Sequence, residues 1–151
     1  MELKELWPLI SESIKDGGQF TMIPRGISML PLIRPARDEV VLVEPIDIKK
    51  TDIVLYRRDD GKFVLHRVMY IKKGEYIMCG DNQSWLERGI EERHLLAKVS
   101  EIHKDGRVVD TTTKEYEKYL KKLYKKIRRA RIRRFLGRIK RIFIKKKKID
   151  Q

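Results

Sequence analysis

Three short segments carry side chains that could do covalent chemistry together: Gly26-Ile27-Ser28-Met29-Leu30-Pro31, Leu65-His66-Arg67-Val68 and Gly80-Asp81-Asn82. They offer a hydroxyl, an imidazole and a carboxylate. A serine hydroxyl is a weak nucleophile at neutral pH. It becomes reactive when a neighbouring base takes its proton, and that base works best when a carboxylate fixes its tautomer and steadies the imidazolium. Ser28, His66 and Asp81 supply one of each. As residue types they are common, and each has an ordinary role open to it. Ser28 could be a turn residue before Pro31, His66 a core histidine in the run FVLHRVMYI, and Asp81 an Asx turn.

The elements that must position these groups are mostly strands. Residues 2–16 carry Leu3, Leu6, Trp7, Ile10 and Ile14 at helical spacing and stop at Gly17-Gly18, with Pro8 inside the pattern. Short β-prone runs follow at Phe20–Ile23, Val40–Val43, Ile53–Tyr56, Phe63–Ile71, Glu75–Met78, Lys98–Ile102 and Arg107–Val109. Turns fall between them, including Asp60-Gly61 and Asp105-Gly106. This spacing predicts a compact barrel or sandwich over residues 20–112. From Tyr116 the pattern is helical and basic. Tyr116, Leu120, Leu123, Tyr124 and Ile127 share one face, and Ile132, Phe135, Leu136, Ile139 and Phe143 another. The stripe either slews along one helix or belongs to two helices bent near Ala130. Three regions result: an N-terminal helix over 1–18, a β-rich body over 19–113 and a basic amphipathic tail over 114–151.

Charge separates body from tail. The chain has 151 residues, 36 of them Lys or Arg and 22 Asp or Glu. From Lys114 onward there are 18 basic and 3 acidic residues, leaving 18 basic and 19 acidic in the body. A near-neutral body is thus joined to a strongly cationic tail. The single cysteine, Cys79, rules out an internal disulfide framework and reads as a small buried hydrophobe. No Cys/His cluster has zinc spacing, and no metal or cofactor is expected. No apolar run is long enough to cross a bilayer, and the acidic N-terminus lacks the basic region of a signal peptide. The expected location is cytoplasmic and peripheral at the membrane.

The segments GISMLP, DIVLY with LHRV, and GDN resemble, in order and spacing, the type I signal peptidase family. The likeness is greatest to its Ser-His branch, the endoplasmic-reticulum and sporulation type, because His66 stands where the other branch has lysine. It covers about Phe20 to Ile102. It implies a β-rich catalytic fold shared with the self-cleaving SOS repressors, Ser28 as nucleophile and His66 as general base. The oxyanion would lie at the backbone N–H of Ser28, with Gly26 and Met29 beside the substrate. Some relatives add a hydroxyl two residues before the nucleophile, where this chain has Gly26. Asp81 matches the aspartate of GDN. The His branch carries a further aspartate six residues on, where this chain has Glu87, so Asp81 and Glu87 are competing or joint partners of His66.

The expected function is therefore a serine endopeptidase that trims a leader or signal-type peptide from a precursor after a small residue. The family's anchor before the nucleophile is replaced here by a short amphipathic helix, which suggests a cytoplasm-facing processing enzyme. The alternative is an inactive peptide-binding module tethered by its tail to membrane or to an acidic partner. Residues 116–148 read as a binder of an anionic membrane surface. Nucleic acid is the weaker reading, since nothing in the body resembles a nucleic-acid-reading motif.

Overall fold

The computed structural model describes residues 2–149 and divides the chain into two units, one through Thr111 and one from Thr112. The first unit opens with helix α1 (Leu3–Ile14). Pro8 sits inside α1 without ending it. Ile10 and Ile14 are buried, and the Trp7 ring lies 6.0 Å from that of Phe63. α1 belongs to the same unit as the sheet.

Eight strands follow: β1 (Phe20–Met22), β2 (Glu39–Val43), β3 (Ile53–Arg57), β4 (Phe63–Lys72), β5 (Glu75–Cys79), β6 (Glu87–Ile90), β7 (Leu95–Lys104) and β8 (Arg107–Val108). They form one antiparallel sheet in the order β1-β2-β7-β3-β4-β5-β6, with β8 paired to β7. The molecule is mainly β, as the turn spacing predicts. β6 was not foreseen. Glu87-Arg88-Gly89-Ile90 offers one large apolar residue and a glycine at φ 81°, so it carries no period-two signal.

Ile53, Val54, Leu55 and Tyr56 are all buried, so β3 is covered on both faces. One face gathers Val54, Tyr56, Val68, Met78, Ile90 and Leu95. Leu55 and Ala97, register partners across β3 and β7, are buried as well. Register shifts place one extra residue on β4 between Val68 and Tyr70, and one on β6 between Glu87 and Ile90. Such bulges bend a sheet and increase its twist.

The second unit is one helix, α2 (Lys114–Ile149), 36 residues long. The alternative break near Ala130 is absent. Alanine is the best helix former, and no proline interrupts the run. The apolar stripe therefore changes direction along a single rod.

Candidate active site

β4 carries His66, and strand pairing gives it its neighbours. Val54 is its register partner on β3, and Tyr56 pairs with Val64. Tyr56 and His66 are thus diagonal neighbours on one face, with ring centroids 6.0 Å apart and planes at 62°. The Tyr56 hydroxyl lies 3.1 Å from His66 Nδ1. It also donates to Glu87 Oε2 at 2.6 Å. Arg58 donates to both oxygens of the same carboxylate, at 2.6 and 2.8 Å.

Glu87 reaches this point only because the sheet curls. β6 is three strands from β3, which in a flat sheet would separate them by about 14 Å. The bulges on β4 and β6 lie on the path between them.

The protonation states follow from this network. Burial raises the Glu87 carboxyl, but hydrogen bonds from Arg58 and Tyr56 outweigh it and hold the group below its ordinary range. It is a carboxylate at neutral pH. Burial pushes the Tyr56 phenol well up, helped by Glu87, so its proton stays in place. That one proton is given to Glu87, and the phenol oxygen can then only accept from His66. We assign His66 the Nδ1–H tautomer on this ground. Burial lowers His66 to about 4, with the Glu87 charge opposing. The resting ring is neutral, and its Nε2 lone pair takes part in no hydrogen bond with any described residue.

A second buried histidine shows the contrast. His94 Nδ1 accepts the Glu91 N–H at 2.9 Å, and its Nε2 meets Asp59 at 3.1 Å. Both its nitrogens are engaged in local structure. His66 is anchored at one nitrogen and open at the other, which is what a base requires.

The two carboxylates expected to compete for His66 have different partners. Glu87 Oε2 is 3.9 Å from Nδ1, with the Tyr56 hydroxyl joining them. Asp81 makes no hydrogen bond to His66 and acts on it only through its charge. Its oxygens instead take Arg67 Nε at 2.8 Å and Nη2 at 2.7 Å, in a pair almost wholly removed from solvent. Arg67 Nη1 also donates to the Thr51 carbonyl. Asp81 is therefore a clamp between β4 and the loop after β5.

That loop packs against the segment between β1 and β2 that contains Ser28. The Asn82 N–H donates to the Ser28 carbonyl at 2.8 Å, and Asn82 Nδ2 donates to the Ile27 carbonyl at 3.2 Å. A Cβ on Gly80 would come within 2.6 Å of the Ser28 oxygen, so glycine permits this approach. The motifs GISMLP and GDN thus lie against each other. Ser28 is partly exposed and Met29 buried. Neither the hydroxyl nor the backbone N–H of Ser28 hydrogen-bonds any described residue.

Beside Ser28 opens a cleft of about 200 Å³, whose walls include Met22, Gly26, Met29, Leu55, Phe63 and Leu65. Leu65 directly precedes His66 on β4, and Leu55 directly precedes Tyr56 on β3. No hydrogen bond joins Ser28 to His66. His66 does not line this cleft.

Sequence reasoning missed Tyr56 and Arg58. A polar aromatic two places from the register partner of a buried histidine is a usable signal, but only once the β3–β4 register is known. Among the described residues no group of His, Cys, Asp and Glu could hold a metal ion. No family model, curated protein or solved structure matches the chain. The resemblance to signal peptidases thus rests on the three motifs themselves.

Proposed function

We propose that the first unit is a serine endopeptidase of the signal peptidase type, with Ser28 as nucleophile and His66 as base. The observation that carries this is the chain Glu87–Tyr56–His66, which fixes the imidazole at Nδ1 and leaves Nε2 able to take a proton. Ser28 Oγ attacks the scissile carbonyl as Nε2 accepts its proton. The new imidazolium is stabilised by the Tyr56 hydroxyl, which accepts from Nδ1–H, and by the Glu87 carboxylate behind it. The oxyanion is met by the Ser28 N–H, which donates to no other described residue. Nε2–H then protonates the leaving amine, and water delivered by the same base releases the acyl group.

The cleft supports an extended peptide substrate. β1 stands at the end of the sheet with one edge unpaired, and Met22 on β1 lines the cleft. A peptide added along that edge would place one side chain against Met29 and Leu65. The preference for a small side chain and a leader-type substrate comes from the motif resemblance.

A β-lactone, which acylates activated serines by ring opening, tests this directly. Labelling should occur at Ser28 and vanish in Ser28→Ala. Stability should change by less than about 0.5 kcal/mol, since the hydroxyl has no partner among the described residues. Unlabelled Ser28 in folded protein would overturn the assignment. The missing Ser28–His66 bond favours one rival, a peptide-binding module without catalysis. That rival predicts peptide binding in the cleft with no acylation.

A further inference from the structure

We infer that the C-terminal half of α2 is a docking surface for an anionic lipid bilayer, whether or not the first unit cleaves peptides. Residues 131–148 hold ten Lys or Arg, seven large apolar residues, one glycine and no acid. None of residues 131–149 is buried. Phe135 and Phe143 are 63% and 69% exposed, and Ile132, Leu136 and Ile142 are also exposed.

The two residue classes are sorted around the helix. At 100° per residue Ile142, Phe135, Ile139, Ile132, Phe143 and Leu136 fall within an arc of about 120°. Arg133, Arg134, Arg138, Lys140 and Arg141 occupy the rest. Lys146 is the one cation that enters the apolar arc, and Ile144 the one large apolar residue before Ile149 outside it. The segment is about 28 Å long at the helical rise. No described helix is apolar enough to cross a membrane, so this one would lie in the interface plane.

Charge complementarity selects an anionic partner, and the apolar arc selects among anions. A nucleic acid neutralises the cations but leaves two phenylalanines and several aliphatic side chains in water. A bilayer surface takes both, with the arc entering the headgroup–acyl boundary and the cations flanking it among lipid phosphates. Each cation held at such a surface strengthens binding about fivefold.

The experiment is co-sedimentation of the full chain with vesicles of phosphatidylcholine containing about one-third phosphatidylglycerol, against phosphatidylcholine alone. Anionic vesicles should bind at least about 100-fold more tightly, with binding falling as salt rises. Phe135→Gln/Phe143→Gln keeps good helix formers and should weaken that binding at least about tenfold with helicity retained. Arg133→Gln/Arg138→Gln/Arg141→Gln, which leaves the apolar arc intact, should weaken it by a similar factor. The two-phenylalanine variant should bind a single-stranded oligonucleotide as the parent does. Equal binding to both vesicle types would overturn the inference. So would vesicle binding that ignores the phenylalanines, or an oligonucleotide preferred to anionic vesicles.

Discussion

Replacing Tyr56 by Phe removes one oxygen and two hydrogen bonds, those to His66 Nδ1 at 3.1 Å and Glu87 at 2.6 Å. Glu87 keeps both bonds from Arg58. His66 keeps nothing, because Glu87 stands 3.9 Å away. In the resting protein a buried N–H is left without an acceptor, which costs about 1 to 3 kcal/mol. The larger effect falls on the transition state, where the ring is an imidazolium. A hydrogen bond to a charged group is worth about 1.5 to 3 kcal/mol, or about 10- to 100-fold in rate. Tyr56 does not line the cleft, so ligand binding should be untouched. The assay is the rate of Ser28 acylation at saturating probe, with the apparent binding constant read from the concentration dependence. The maximal rate should fall about 10- to 100-fold at constant binding. Nitrogen NMR should show His66 losing its single Nδ1–H tautomer. A variant that acylates at the parental rate while Ser28→Ala does not acylate would refute the relay and leave His66 unsupported.

Arg67→Met should destabilise the first unit by about 3 to 5 kcal/mol in chemical denaturation, since it strands the Asp81 carboxylate without its buried partner. Gly80→Ala must push a loop off the Ser28 carbonyl. It should slow acylation at least about tenfold while costing only about 1 to 3 kcal/mol of stability. Stability should fall as pH drops from about 6.5 to about 4. In that window an unfolded His66 binds a proton that the folded site refuses. The loss is up to roughly 3 kcal/mol, and His66→Gln should flatten it in pH-dependent denaturation. Glu87, lowered in the fold, adds a further loss below its ordinary value of 4.5.

The strand pattern was legible where side chains alternate or run apolar between turns. β2, β3, β4 and β5 lie where Val40–Val43, Ile53–Tyr56, Phe63–Ile71 and Glu75–Met78 predict them. β7 begins at Leu95, three residues before the expected Lys98, because Leu95-Leu96-Ala97 shows no apolar–polar alternation to mark it as strand. The charge boundary near Lys114 was visible because composition changes there, and the units divide at Thr111/Thr112. The choice between Asp81 and Glu87 was not legible. It depends on the curl that brings β6 over β3, a consequence of two bulges, and on which carboxylate a buried guanidinium claims first.

His66 and Arg67 are consecutive, so β4 sends them to opposite faces. One faces the Tyr56–Glu87 network, and the other holds the loop on which Ser28 rests. A slip of one residue in the pairing of β4 would invert both at once, burying an arginine among Val54, Tyr56 and Met78 and leaving Asp81 opposite an uncharged ring. Neither error can be made alone. The strand is thereby proofread by its own neighbours, and a molecule that holds its loop in place has, by the same step, set its imidazole.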